Sequence, residues 1–251
     1  MVVGGGVALL MAHAEQFRGG RELFHSSLVL TAARDAGAWR FEELGPVVQS
    51  NMPDGELRSA VELGSGPMVE YGGHLYIYHR DVLKSGAEIG LTASRAAIET
   101  VRASVARGKA PAFHKYHAGG WTQPALGGES SPMEAGNPEV RWMDVKYSAG
   151  LGRFVGVVAA CRTPGAKAVD LRLIVSEDGV NWSRSVWLTA AEGEELFYPT
   201  LFELERTARG GVRWAVYHTA SRGGGFRRPN DARLVLRTFE LFPAGAAPAG
   251  S

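Results

Sequence analysis

Three acidic residues stand where chemistry could happen: Glu15, Asp81 and Asp144. Glu15 closes the run His13-Ala14-Glu15, Asp81 closes His79-Arg80-Asp81, and Asp144 follows Trp142-Met143. Two carboxylates flanking a glycosidic bond suffice to hydrolyse it, one held protonated as acid and the other acting as base or nucleophile. A third tunes the acid's pKa through like-charge repulsion. In that scheme Glu15 is the general acid, Asp144 the base or pKa modulator, and Asp81 the second catalytic carboxylate or a substrate ligand. His13, His79, Arg80, Trp142 and Tyr198 supply the polar groups and ring faces that hold a sugar. Each also has a plainer reading. Asp144 could cap its strand, Asp81 could pair with Arg80, Glu15 could be a solvated loop acid, and the histidines, His218 among them, could be packing residues of a repeat. His13, Glu15, His79 and Asp81 could hold a metal ion, but repeat spacing accounts for them without one, and no cofactor is expected.

The elements that must position these groups recur along the chain. Residues 67–81 (PMVEYGGHLYIYHRD) read as strand, Gly-Gly turn, strand. The same form returns at 2–15, 144–161 and 199–220. A third strand follows each copy, at 28–30, 89–93, 171–175 and 233–239. After two of these an Asp precedes a Trp at one spacing, Asp35 to Trp39 and Asp178 to Trp182, which reads as a turn with a Trp packed behind it. An antiparallel meander of this kind cannot bury both faces alone, so copies stack around an axis; the fold class is all-β, a β-propeller of four-stranded blades. A sandwich would leave the recurrent turn unexplained. In a propeller, strand-one starts and strand-two ends share one rim, which gathers the acids, histidines, Arg80, Trp142 and Tyr198 at a channel mouth.

Two segments break the pattern. Residues 95–107 carry Ile98, Val101 and Val105 at helical spacing, with Gly108 as a stop, and predict one inserted helix. Residues 113–132 form a long polar-aromatic loop or an irregular strand pair. Residues 1–242 are expected to form a single propeller domain, and the Ala/Gly/Pro-rich stretch 243–251 a frayed tail.

Composition narrows the function classes. The chain has 251 residues, with 27 Lys and Arg against 26 Asp and Glu, so it lacks the basic excess of a nucleic-acid binder. Its one cysteine, Cys161, lies in an apolar run and reads as a small buried hydrophobe. No apolar run approaches the roughly 18 residues of a membrane-spanning helix. Ala12-His13-Ala14 resembles a signal cleavage site, but no basic residue precedes the apolar run and Gly4-Gly5-Gly6 interrupts it, so no secretory signal is expected.

At its repeats the sequence resembles the five-bladed β-propeller glycoside hydrolases, the arabinanase, xylosidase and invertase-like superfamily. The resemblance rests on Gly66-Pro67-Met68-Val69-Glu70, 75–81 (LYIYHRD), 143–147 (MDVKY), 176–182 (SEDGVNW) and Tyr198-Pro199-Thr200. Lys115-Tyr116 through Gly119-Gly120-Trp121, then 127–131 (GGESS), is similar to a loop of uncharacterised members and adds Lys115 and Trp121 to the substrate-binding residues. It spans roughly 2–242 and implies a carbohydrate ligand, with neither nucleic acid nor membrane as partner. The chain departs from the family in showing four units rather than five, which implies either a missing N-terminal blade or a four-unit variant. The first-blade Asp that serves as base or nucleophile in these enzymes has no match here. The readings carried forward are a glycoside hydrolase, a non-catalytic sugar-binding propeller or enzyme fragment, and a protein-interaction propeller, which would not need rim acids.

Overall fold

The computed structural model describes residues 2–4, 7–17, 24–35, 40–52, 63–133, 140–161, 169–183, 186–188, 194–222 and 232–243. The chain divides into two compact units, Met1–Pro138 and Glu139–Ser251.

The first unit holds two antiparallel sheets whose strands neighbour one another in chain order. One contains β1 (Val2–Gly4), β2 (Val7–Phe17), β3 (Phe24–Ala33) and β4 (Glu42–Gln49). The other contains β5 (Ser65–Tyr71), β6 (His74–Val82), β7 (Glu88–Ala97), β8 (His114–His117) and β9 (Gly120–Pro124). The β5–β6 hairpin turns at Gly72 and Gly73, whose φ angles of +56° and +75° suit a two-residue turn between twisted strands. β6 is buried along nearly its whole length, as a strand covered on both faces must be. Leu28 and Leu30 of β3, Val48 of β4, and Leu75 and Ile77 of β6 form the core between the two sheets.

Helix α1 (Ile98–Ala106) follows β7 and buries the predicted Ile98, Val101 and Val105 stripe. It starts later than residue 95 because Arg95 to Ala97 still pair with β6. Gly108, at φ +66°, ends it as expected. Segment 113–132 resolves as the strand pair β8–β9 followed by a turn.

The second unit has the same plan. One sheet contains β10 (Val140–Ser148), β11 (Arg153–Cys161), β12 (Val169–Ser176) and β13 (Val186–Leu188). The other contains β14 (Glu194–Arg206), β15 (Val212–Arg222) and β16 (Ala232–Leu241). Val155, Val157, Leu171, Leu196, Trp214 and Val216 form its core, with Cys161 buried among them. The Asp178 turn closes as the spacing suggests. Its carboxylate accepts the amides of Val180 and Asn181, and Trp182 packs edge-on against Phe154 at 6.5 Å. Burial raises the Asp178 pKa, but these bonds outweigh it and bring it down to about 2. The matching Trp39 and most of the tail lie outside the described residues.

Candidate functional site

In the first unit the expected rim groups of β6 turn inward. Asp81, His79 and Lys115 are all fully buried. Lys115 stands on β8, and its ammonium donates three bonds: to Asp81 Oδ2 (2.7 Å), to the Gln49 carbonyl (2.6 Å) and to the Gly128 carbonyl (2.8 Å). Those are all the protons an ammonium has. Asp81 Oδ2 also accepts the Ser130 hydroxyl (2.5 Å), and Oδ1 accepts the Val82 amide (2.8 Å). Asp81 therefore does not pair with Arg80. The guanidinium of Arg80 bonds Glu88 instead (2.9 Å).

The local chain is built to deliver these partners. At Gly128 a Cβ would sit 2.3 Å from the Pro124 carbonyl, so only glycine fits the turn that presents the Gly128 carbonyl to Lys115. Gln49 is tied to the same turn, its amide donating to the Ala125 carbonyl (2.9 Å). Lys115 thus clamps β4, β6 and the 125–130 turn together. Burial pushes its pKa down and the Asp81 charge opposes that push.

His79 sits beside this pair. Its Nδ1 lies 2.8 Å from the Arg80 carbonyl, which only accepts, so Nδ1 carries the proton and Nε2 accepts from the Ser94 hydroxyl at 3.0 Å. Burial, together with the Lys115 charge, drives the His79 pKa to about 4 against the opposing pull of Asp81. His79 and Asp81, expected at the rim, and Lys115, expected among the substrate-binding residues, instead have every polar atom they offer engaged away from solvent. Ser130, Gln49 and Gly128, which complete the cluster, were not among the candidates. The Gly-Gly-Glu-Ser-Ser run was the only sequence signal pointing toward them.

The other first-unit candidates are less enclosed. Glu15 is 38% exposed at its side chain, 3.9 Å from the His13 ring. Trp121, on β9, packs against Tyr76 and Tyr116, each at 5.5 Å, with the Arg95 guanidinium 4.5 Å from its ring centre. Its partly covered face therefore belongs to a blade-surface cluster. Among the described residues no group of three or more His, Cys, Asp or Glu is placed to hold a metal ion. No described helix is long and apolar enough to cross a membrane.

The second unit brings three candidates together at the start of its first strands. Trp142 and Asp144 are two apart on β10, so they share one sheet face. The Tyr198 ring lies 4.9 Å from that of Trp142, and Phe197 backs Trp142 edge-on at 5.1 Å. Asp144 Oδ2 accepts the Leu201 amide of β14 (2.8 Å), while Oδ1 accepts the Lys146 ammonium (2.9 Å) and the Val145 amide (2.9 Å). One carboxylate thereby ties the first strands of both sheets and keeps unfilled acceptor capacity on Oδ2.

Tyr198 is half exposed and holds φ at +49°. A bulky residue in the left-handed region is a true outlier, and such strain clusters where function needs a side chain re-aimed. The cause is a β-bulge between Phe197 and Thr200 of β14. β5 bulges at the matching place, between Ser65 and Met68, and there Ser65 (φ +76°) and Gly66 (φ +111°) both take positive φ, with Gly66 standing before Pro67 as Tyr198 stands before Pro199. His218, opposite the β14 bulge, is buried, and burial lowers its pKa, in keeping with a packing role.

No family model and no curated protein matches the sequence. Solved structures do match the fold. An exo-inulinase from Aspergillus awamori superposes with a TM-score of 0.59 over 98% of this chain and 47% of its own, at 15% identity. A family 32 β-fructofuranosidase from Bombyx mori, solved with sucrose, gives 0.56 over 94% and 44%, also at 15% identity. An α-L-arabinanase from Cellvibrio cellulosa gives 0.51 over 94% and 70%, at 11% identity. The chain spans less than half the length of the first two. Its fold is that of the propeller glycoside hydrolases, with four antiparallel blade sheets recognisable.

Proposed function

We propose that this protein binds carbohydrate, with Trp142 and Tyr198 as the aromatic surface and Asp144 as a fixed hydroxyl acceptor. The observation that carries this reading is the left-handed, half-exposed Tyr198 held against Trp142. Ring faces take the apolar face of a sugar, and a carboxylate already fixed by the Leu201 amide loses little freedom on binding. The matched structures add a class of ligand to try, since one holds sucrose and the others are an exo-inulinase and an arabinanase.

Titration calorimetry with sucrose, inulin and arabinan tests this. The expected result is measurable binding to one of them that Trp142→Ala weakens about tenfold or more, roughly the worth of one well-placed ring contact. Unchanged affinity in that variant, or no binding by the unaltered protein, would sink the reading.

A second reading is hydrolysis, with Glu15 donating the proton. The open carboxylate of Glu15 favours it. Loss of sugar release in Glu15→Gln with binding retained would support it; a protein that binds but never turns over would leave the non-catalytic reading.

A further inference from the structure

The turn that completes the Lys115 clamp carries a second set of groups. Gly128 and Ser130 bond inward, to Lys115 and Asp81. Glu129 and Ser131 alternate with them and approach His117 instead, at the end of β8. The β8–β9 hairpin fixes Ser131 twice. Its amide donates to the Tyr116 carbonyl (2.9 Å), and its Oγ accepts the Ala118 amide (3.0 Å). Two residues on, the Met133 amide donates to the Leu91 carbonyl (2.9 Å), so the segment is tied on both sides. Ala118 holds φ at +48°, a left-handed conformation that is costly for a residue with a Cβ. The turn it makes brings its amide to Ser131.

Counting donors and acceptors assigns the roles. The Ala118 amide fills an acceptor position of Ser131 Oγ and leaves the hydroxyl its proton to give. His117 Nδ1 lies 3.5 Å from that oxygen, and His117 Nε2 lies 4.0 Å from the Glu129 carboxylate. A carboxylate only accepts, and a neutral imidazole has one donor and one acceptor. Nε2 therefore carries the ring proton, and Nδ1 is the acceptor for that of Ser131. Hydroxyl, imidazole and carboxylate in this order are a nucleophile, its base and the group that orients the base. Both distances are longer than in an assembled site, as such contacts commonly are before substrate tightens them. Unlike the clamp, the trio meets solvent: the His117 and Glu129 side chains are 29% and 58% exposed, and Ser131 is half-buried.

We propose that Ser131 is a nucleophile activated by His117, with Glu129 orienting the imidazole, and that the site cleaves small acyl esters. Ser131 Oγ attacks the ester carbonyl, the Oγ–C bond forms and the bond to the alkoxide breaks. The hydroxyl proton passes to His117 Nδ1 and on to the alkoxide, which leaves as an alcohol. Water then adds to the acyl carbon, gives its proton to Nδ1, and releases the acid as Oγ recovers a proton. Once Oγ is bonded to carbon, the Ala118 amide is a backbone donor within reach of the oxyanion. One such donor suits an ester, whose alkoxide leaves more readily than an amine.

A fluorophosphonate probe, which phosphonylates activated serines, tests this on the full chain, with the label located by mass spectrometry of a digest. The native protein should label at Ser131, and heat-denatured protein should not. Ser131→Ala should remove the label. His117→Ala should slow labelling about a hundredfold, the low end of what a positioned base supplies. Added imidazole should restore part of that rate, which it would not do if His117 only held the hairpin together. Glu129→Gln should slow labelling by about fivefold or less, the worth of an exposed ion pair. Hydrolysis of p-nitrophenyl acetate should follow the same order. Absence of label at Ser131 in the native protein overturns the proposal, and that result needs no variant to fold. Labelling undiminished in His117→Ala overturns it equally.

Discussion

At the bulge of its first strand, the β5–β9 sheet carries Gly66-Pro67, and the β14–β16 sheet carries Tyr198-Pro199. In the first, glycine takes the left-handed turn; a Cβ there would come 2.9 Å from Met11, so the site is closed. In the second, an aromatic residue takes the same kind of turn and points half into water. The acids near the two bulges are both buried but differ in their surroundings. Asp81 is held by a buried ammonium, a hydroxyl and an amide, whereas Asp144 takes two amides and the ammonium of the exposed Lys146, beside the half-exposed Tyr198. The repeat thus supplies one scaffold twice, used once for packing and once for presenting side chains.

The sharpest way to break this comparison is to remove the clamp on the closed side. Lys115→Met leaves Asp81 charged, buried and without its cation. Breaking a buried pair from one side costs about 3–5 kcal/mol. Urea unfolding should show a loss of that order, and Lys115→Met/Asp81→Leu should recover part of it, because the orphaned charge is then gone. If Lys115→Met instead leaves stability intact while abolishing sugar binding, Lys115 is a ligand group and the division between the two regions fails.

A somewhat smaller effect comes from acid. The His79 pKa falls from 6.5 to about 4 on folding, so between those values the unfolded chain binds more protons than the folded one. Stability contributed by neutral His79 is therefore complete above about pH 6.5 and is lost as pH falls toward 4, by up to about 3 kcal/mol at 1.36 kcal/mol per pH unit. Buried His218, its pKa lowered by the same cause, acts in the same direction. Urea midpoints followed from pH 7 down to 4 should fall, and His79→Gln should flatten that slope whatever it does to stability at neutral pH. An unchanged slope would mean that protons reach His79 without unfolding, and the closed side would not be closed.

The strands of this fold were legible because their punctuation is local. Gly72-Gly73 marks a hairpin, and Ile98, Val101 and Val105 mark one face of α1. The clamp was not legible, because its members lie 34 and 66 residues from Lys115 and nothing in their spacing records that the chain folds back between them. Lys115 in the 115–131 loop reads as a substrate-binding residue, and Asp81 beside Arg80 suggests a local pair that does not form. The repeat groups Trp142, Asp144 and Tyr198 by placing strand-one starts together, and in the second unit they do lie near one another. The strain at Tyr198 left a fainter mark. A residue before proline is steered toward extended backbone, so Tyr-Pro alone gives no hint of it. Setting Tyr198-Pro199 against Gly66-Pro67 does, since a tyrosine then occupies a glycine's place.

Reciprocal substitution at those two positions sharpens the comparison most finely. Gly66→Ala imposes a side chain on a φ of +111° and against Met11, so it should destabilise by about 2 kcal/mol. Tyr198→Gly should do far less. Relief of the left-handed backbone contributes about 1–2 kcal/mol. The added freedom of glycine in the unfolded chain takes back about 0.5–1 kcal/mol, and loss of the contact with Trp142 about as much again. The net change should lie within about 1 kcal/mol of zero by thermal unfolding, while carbohydrate binding by the same variant falls about tenfold. A large loss of stability with binding unchanged would make Tyr198 a packing residue. The strain would then belong to the bulge itself, and the two blades would differ in sequence but not in use.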